Sequence, residues 1–396
     1  MIETKKYSVL LSVGHFCADI NAGCLSALLP FLIAAYHYDY GTAAILVMVS
    51  NLVGSAVQLV FGELADRRDM PVMMLAGIGM SGGGMALVGV TDNFAVMCAA
   101  VIVSGTGIAM FHPQAMKLLN KVTVRGEEGN DVSVFSFGGN LGVSLGPVVV
   151  TACVKAFGLK GTLLLLIPPA LSVLIFLSKG RALLRAGSFA EEESAETQKH
   201  VAETRLSSGG QDQWKAFWLL TVVVFGRSII AGSLNTYMSL YWMEALGQSA
   251  ATGNTILSVF YGLTALLTLL GGRLSDRYGY KRTIKWSLLI LTPSLFWMAS
   301  AHSTAVAALL LLPLSAGISI SYSPIVVLGQ KYLPGHTGFA SGMTLGLSVS
   351  IGGIMTPLLG KVADASGISA ALYVVAVLSV APLIFSFLLK EIKKDE

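Results

Sequence analysis

Long apolar segments, separated by short polar connections, follow one another along the whole chain. They are predicted at residues 8–36, 42–64, 72–91, 95–118, 131–156, 161–179, 215–243, 252–274, 283–301, 305–330, 337–362 and 369–389. Each has about 20 residues or more, which is the length that lets an α-helix cross the hydrocarbon core of a bilayer. The pattern predicts an all-α membrane protein with twelve transmembrane helices.

A six-residue sequence ends the second apolar segment and returns at the end of the eighth. It reads Gly-Glu-Leu-Ala-Asp-Arg at 62–67 and Gly-Arg-Leu-Ser-Asp-Arg at 272–277, an offset of 210 residues. The same offset relates three further pairs, which are Gly107 and Gly317, Gly142 and Gly352, and Pro147 and Pro357. An unbroken register of this kind indicates an internal duplication into two parallel halves.

The longest connection separates the two repeats. Residues 1–180 form the predicted N-terminal six-helix half, 181–214 a linker, and 215–396 the C-terminal six-helix half. The linker has little apolar content and therefore cannot bury enough surface to fold by itself.

Composition agrees with a membrane protein. Hydrophobic residues make up 54% of the chain and charged residues only 12%, whereas soluble domains have about 25% charged residues. The net charge is +4, but the basic residues lie in short loops rather than on one face, which argues against nucleic-acid binding. Cys17, Cys24, Cys98 and Cys153 all lie in apolar segments and are expected to be free buried thiols.

Lysine and arginine are concentrated in the loops on one side of the predicted membrane, and this bias predicts the orientation. With a cytoplasmic N-terminus, the basic residues on the cytoplasmic side include Lys5, Lys6, Arg67, Arg68, Lys121, Arg125, Arg181, Arg185, Arg277, Lys281, Arg282, Lys331, Lys390, Lys393 and Lys394. The opposite side has only Lys155, Lys160 and Lys361. Both termini and the linker are therefore expected in the cytoplasm.

A carboxylate lies deep in the first apolar segment. Asp19 follows Tyr7 by about 18 Å of helix, near the middle of a ~30 Å core. His15 is one turn earlier and shares its face. A buried carboxylate is costly in a membrane, so Asp19 is expected to face a partner or a wet cavity and to carry protons together with His15. The alternative is a structural His–Asp pair that stiffens the helix.

Other polar residues in the apolar segments are candidates for substrate contacts. His112 precedes Pro113 in the fourth segment and could bind substrate or relay protons, although a packing role is equally open. Further candidates, for which hydrogen bonding between helices is the alternative, are Gln58, Asn140, Asn235, Tyr237, Tyr241 and Gln330.

The twelve segments and the repeated Gly-x-Leu-small-Asp-Arg sequence closely resemble the major facilitator superfamily. The resemblance covers the whole chain and implies two six-helix halves that alternate in access to a central site. It also implies that Gly62, Asp66, Arg67, Gly272, Asp276 and Arg277 form a gating motif at the cytoplasmic ends. The first copy departs from the family pattern after Arg68, which suggests a weaker latch. Alternatively, these charges only set the topology.

The resemblance also gives Arg227 a role, because the first and seventh spans of this superfamily face each other. Arg227 corresponds to Cys17 in the repeat and is the expected anchor for an anionic substrate, since its planar fork grips phosphonate or carboxylate groups. Neutralisation of Asp19 is the alternative. Gly142, Gly146 and Pro147 in the fifth span are similar to the antiporter signature of the superfamily, although the Gly-Gly that usually follows is replaced by Val150-Thr151.

A narrower resemblance is to the fosmidomycin-resistance branch of exporters. It rests on Gly-His-Phe-x-x-Asp at 14–19, Leu-Leu-Pro-Phe at 28–31 and His112-Pro113. It implies a monomeric proton/drug antiporter in a bacterial inner membrane, driven by the proton motive force without a cofactor. An anionic phosphonate is then one possible substrate.

Two other functions are alternatives to proton-coupled export. Proton-coupled uptake of a small organic anion would use the same residues in the opposite direction. A membrane receptor would also explain paired halves, but it usually has an appended soluble domain that does not fit in this length. The sequence has no Walker loop, His-Glu-x-x-His or Gly-x-Ser-x-Gly, which argues against an enzyme and against direct use of ATP.

Overall fold

The computed structural model describes residues 2–67, 70–123, 128–179, 212–336, 339–340 and 342–392. Over this part the chain is helical, with no strand. The helices of the first half are α1 (Ile2–Tyr36), α2 (Tyr40–Arg67), α3 (Pro71–Val88), α4 (Phe94–Val122), α5 (Glu128–Phe157) and α6 (Ile167–Lys179). The sixth span begins as a 3₁₀ helix, Leu159–Leu166, which leads directly into α6.

The second half begins at the end of the predicted linker, most of which lies outside the described residues. Its helices are α7 (Trp214–Glu244), α8 (Ala250–Tyr278), α9 (Tyr280–Ala299), α10 (Thr304–Ser319), α11 (Tyr322–Tyr332), α12 (Ser348–Ser366), α13 (Ile368–Leu378) and α14 (Val380–Leu388). A short 3₁₀ turn, Pro334–His336, follows α11, and a π-helical segment, Gly342–Leu347, leads into α12.

The predicted all-α membrane fold is confirmed. Each predicted apolar segment is helical in the described part of the chain, and ten stretches of this part are long and apolar enough to cross a membrane. Four of the ten consist of two successive helical segments. The third span is short, because Pro71 begins it and Gly89 ends it. The ninth span begins at Tyr280, and Lys281 and Arg282 bring charge into its first turn.

The tenth and twelfth spans were predicted as single helices, but each is interrupted. Pro324 cannot donate the backbone hydrogen bond that would reach the carbonyl of Ile320, and α10 and α11 separate at this point. In the same way Pro382 leaves the carbonyl of Leu378 without its helical donor, and α13 ends there. By contrast, α4 continues through Pro113.

The described chain forms two compact units. The first contains residues up to His37 and from Val49 to Lys179, and the second contains Tyr38–Met48 together with the residues from Asp212 onward. The division therefore falls inside α2, between Met48 and Val49.

Glycines bring the helices of the first unit into close contact. A Cβ atom on Gly142 of α5 would lie 2.5 Å from the carbonyl oxygen of Phe16 on α1, and one on Gly146 would lie 2.5 Å from that of Ile20. In the second unit, a Cβ on Gly352 of α12 would lie 2.5 Å from the carbonyl oxygen of Ser228 on α7. Because Gly142 and Gly352 are related by the 210-residue offset, the duplication is visible in the helix packing of both units.

Candidate functional site

Three titratable side chains meet in the first unit. Asp19 Oδ2 lies 3.1 Å from His15 Nε2, and Asp19 Oδ1 lies 3.4 Å from His112 Nε2. The two imidazole Nε2 atoms are 3.1 Å apart. The structure therefore brings together the predicted pair on α1 and the histidine of α4, which the sequence had offered only as a separate candidate.

Hydrogen bonds to the backbone determine which nitrogen of each ring is protonated. Nδ1 of His15 lies 2.9 Å from the carbonyl oxygen of Phe135, and Nδ1 of His112 lies 2.8 Å from that of Ile108. A carbonyl oxygen only accepts, so both Nδ1 atoms donate. In neutral rings both Nε2 atoms are then acceptors, and they face each other and the Asp19 carboxylate. At least one additional proton is needed to turn these contacts into hydrogen bonds.

The position of His15 is determined by its surroundings on α4 and α5. Its ring stacks on Phe135, with centroids 4.1 Å apart, and lies 5.7 Å from the Phe111 ring. Gly139 leaves the space that the ring occupies, because a Cβ atom there would be 2.3 Å from His15 Nε2. This role of Gly139 was not predicted. The signal in the sequence is the adjacent glycine pair Gly138-Gly139 in the fifth span.

Exposure is graded across the three side chains. The His15 side chain is 9% exposed, that of Asp19 14% and that of His112 27%. His112 is therefore the most exposed member of the cluster.

Arg227 of α7 lies in the second unit, at the break between α10 and α11. Its Nε donates to the carbonyl oxygen of Ile318 at 2.9 Å and to Ser321 Oγ at 3.2 Å. The guanidinium carbon lies 5.2 Å from the centre of the Tyr322 ring. Among the described residues Arg227 has no ion pair with a carboxylate. Nε thus fixes the side chain, and the two terminal amino groups are left for another acceptor.

The two buried tyrosines among the candidates hydrogen-bond to backbone in the second unit. The Tyr237 hydroxyl donates to the carbonyl oxygen of Thr356, and the Tyr241 hydroxyl donates to that of Met298. Both side chains are almost completely buried. These contacts fit the alternative interpretation of helix–helix hydrogen bonds. Of the amide candidates, Gln58 and Asn140 are exposed and Gln330 is partly buried.

The gating motif is only partly described, because the side chains of Asp66, Arg67 and Asp276 lie outside the described part. The guanidinium carbon of Arg277 lies 5.3 Å from the centre of the Tyr278 ring. Lys117 of α4 was not among the predicted residues, and its ammonium group donates to the carbonyl oxygen of Ala65 at 2.6 Å. This contact satisfies a carbonyl at the end of α2, directly before the motif aspartate.

The described residues form two helical units, with the cluster of His15, Asp19 and His112 in the first. The second contains Arg227, which has no carboxylate partner among those residues. This arrangement is typical of a membrane transporter built from two halves. The sequence profile of the Major Facilitator Superfamily matches residues 11–357 and 220–396, and the chain belongs to this superfamily. It is therefore a multi-pass membrane transporter of small molecules.

The chain is also similar to individual proteins over almost its whole length. The chain is 25% identical to the fosmidomycin resistance protein of Escherichia coli, over 97% of this chain and 93% of that protein. It is 27% identical to an uncharacterised MFS-type transporter of Bacillus subtilis, YfnC, over 99% and 95%. The solved structure of a peptide transporter, POT, in complex with sulfate superposes with a TM-score of 0.77, at 15% identity, over 97% of this chain and 93% of that one.

Proposed function

We propose that this protein is a proton-coupled secondary transporter that exports a small organic anion in exchange for protons. The observation that carries the proposal is the cluster of His15, Asp19 and His112, in which the hydrogen-bonding pattern requires at least one proton more than neutral rings and a carboxylate supply. Gain or loss of this proton changes the hydrogen bonds among the three side chains. The energy source is then the proton motive force, and no cofactor is needed.

The proposed substrate class follows from Arg227. Its terminal amino groups can grip two oxygens of a phosphonate or carboxylate, while Nε keeps the plane of the guanidinium in place. The Tyr322 ring beneath it provides a flat surface against which a small anion would be confined. The likeness to the fosmidomycin resistance protein supports a phosphonate as the first substrate to test.

In the proposed cycle the two halves alternate in access to the bound anion. Protons and anion weaken each other's binding, and by linkage the effect is equal in both directions. The proposed location is the inner membrane of a bacterium, with both termini in the cytoplasm, as the distribution of basic loop residues predicts. We propose that the monomer is the transporting unit.

Transport into everted membrane vesicles tests this function. An imposed proton gradient should drive uptake of radiolabelled fosmidomycin by vesicles that contain the wild-type protein. Asp19→Asn should abolish the gradient-driven part, since a carboxamide at this position does not titrate. Lys155→Ala, which removes an exposed cation at the end of α5, is the control and should transport normally.

The same assay separates export from uptake. A symporter would move the anion out of everted vesicles together with protons, so loss of preloaded substrate would identify uptake. Normal gradient-driven transport by Asp19→Asn, at equal protein levels, would rule out the proposed proton site.

A further inference from the structure

The first turn of α2 is capped by a carboxylate that is more than 300 residues away in the sequence. The backbone N–H of Tyr40 donates to Asp364 Oδ1 at 2.7 Å, and that of Gly41 donates to Asp364 Oδ2 at 3.0 Å. Asp364 belongs to α12, so one carboxylate of the second half receives two N–H groups from a helix of the first half. It also faces the positive end of the α2 dipole.

The other two N–H groups of this turn are satisfied locally. Asp39 caps α2 through a hydrogen bond from the Thr42 N–H to its side chain, and the Ala43 N–H donates to the Asp39 carbonyl oxygen at 3.0 Å. The hydrogen bond from the Thr42 backbone lowers the pKa of Asp39, so this cap remains ionised. Tyr40, Gly41 and Thr42 have N–H groups without a carbonyl partner inside the helix, and Asp364 therefore satisfies two of these three donors.

A second polar bond and a close helix contact accompany this cap. The Tyr40 hydroxyl hydrogen-bonds the carboxylate of Glu244, the last residue of α7. A Cβ atom on Gly360 of α12 would lie 2.6 Å from the Cα of Gly41 and 2.8 Å from the Tyr237 hydroxyl. The absence of a side chain at Gly360 is what allows α2 to approach α12 and α7 so closely.

The corresponding place in the duplicated half is built differently. The residue that corresponds to Tyr40 is Ala250, at the start of α8, and this helix is capped by its own Ser249, whose Oγ accepts from the Thr252 N–H at 3.2 Å. The position that corresponds to Asp364 is Val154. A carboxylate from the other half is therefore not a general requirement of the repeat, and its presence at one of the two places needs a specific reason.

We propose that Asp364 and Glu244 form a releasable latch on the start of α2, which holds the transporter closed on the face opposite the basic loops. The proposal rests on the alternating-access function proposed above. Asp364 is exposed, and polar bonds at exposed positions are individually weak enough to break and form again. The rest of α2, from Val49 onward, belongs to the first unit. Movement of that unit would therefore pull the first turn of α2 away from its two carboxylates.

Distances between two spin labels can test the latch without any substrate. We would attach them to cysteines introduced at Phe157 and Ser303, which are both exposed and predicted on the latch face. The partly exposed Cys98 and Cys153 are first replaced by alanine, whereas Cys17 and Cys24 are buried and remain. Pulsed electron resonance at a fixed pH then gives the ratio of long to short distances, that is, of open to closed protein.

Asp364→Ala should raise this ratio roughly fivefold, as expected for loss of a helix cap. Tyr40→Phe removes only the bond to Glu244 and should give a smaller increase with the fold intact. Ser366→Ala, an exposed change at the end of the same helix, is the matched control and should leave the ratio unchanged.

An unchanged distribution in both Asp364→Ala and Tyr40→Phe, with each protein monodisperse, would overturn the latch. An equal response of Ser366→Ala would also overturn it, since the effect would then not depend on the carboxylate. The result is independent of proton coupling and of the transported compound. A latch response in a protein that fails the vesicle assay would therefore contradict the proposed function and leave the latch in place.

Discussion

Two imidazole rings that both donate through Nδ1 to backbone carbonyls leave the Asp19 carboxylate facing two Nε2 atoms. This arrangement is sensitive to small displacements, because a hydrogen bond weakens steeply once its donor and acceptor are misaligned. The function of the cluster is therefore expected to depend on residues that do not titrate themselves but determine where the His15 ring lies.

Gly139→Ala tests this dependence at the residue scale. The new methyl group would lie 2.3 Å from His15 Nε2, so the ring must leave its place between Phe135 and Asp19. We expect gradient-driven transport to fall about as far as in His15→Ala, while the protein remains folded. In a double-mutant cycle, adding Gly139→Ala to His15→Ala should have no further effect. A further additive loss would show that Gly139 acts by another route.

Arg227→Lys tests whether substrate affinity depends on the planar shape of the guanidinium group or only on its positive charge. Lysine keeps the positive charge but loses the Nε contacts to Ile318 and Ser321 and the two-point grip on an anion. We expect the apparent affinity for fosmidomycin to fall roughly tenfold or more, and Arg227→Ala to abolish binding. Isothermal titration on purified protein measures this. Equal affinities of wild type and Arg227→Lys would mean that charge alone suffices.

The sequence predicts part of this site and not the rest, for a physical reason. His15 and Asp19 are one turn apart, and helix geometry alone brings them together. His112 reaches the cluster because α4 packs against α1. Gly139 affects the cluster because the backbone of α5 lies next to the His15 ring. No local pattern encodes such contacts between distant segments.

At the scale of the helices, close approach explains glycines that the sequence analysis assigned to an antiporter signature. Gly142 and Gly146 leave room for the carbonyl oxygens of Phe16 and Ile20, so packing of α5 on α1 by itself requires them. Their role in export stays a prediction. In a bilayer such contacts contribute much of the association between helices, because lipid tails remove the hydrophobic driving force.

Gly146→Ala should therefore lower the melting temperature of the detergent-purified protein. The added methyl group would lie 2.5 Å from a backbone oxygen, and overpacking of this kind costs about 1–3 kcal/mol. Gly83→Ala is the control, because a Cβ there has no neighbour within 4 Å. It should keep or slightly raise the melting temperature, since alanine is a better helix former than glycine. Equal destabilisation by both changes would contradict the packing role.

The helix breaks likewise depend partly on the local sequence and partly on contacts with distant segments. Loss of a backbone hydrogen bond at Pro324 follows from the sequence, and the break between α10 and α11 lies where that bond is missing. The same rule does not break α4 at Pro113. Whether a proline interrupts a helix depends on the neighbouring helices, which the local sequence does not specify.

At the scale of the whole molecule, the proposed function makes the two halves of the duplicated chain unequal. The first half carries the protonatable cluster and the second half carries the arginine, although Arg227 and Cys17 occupy corresponding places in the repeat. The start of α2 is capped from the other half of the sequence, whereas the start of α8 is capped by its own serine. In the proposed function the proton site and the anion site lie on different halves, so movement of the halves can respond to both ligands.

The sign of proton movement on substrate binding tests the central claim most directly. Purified protein in weakly buffered detergent solution, with a chelator to exclude metal binding, is mixed with fosmidomycin while a pH-sensitive dye is followed. We expect protons to be released, the affinity to be lower at acidic than at neutral pH, and Asp19→Asn to bind without release. Proton uptake on binding would indicate a symporter, and binding with no proton movement at any pH would contradict coupling through His15, Asp19 and His112.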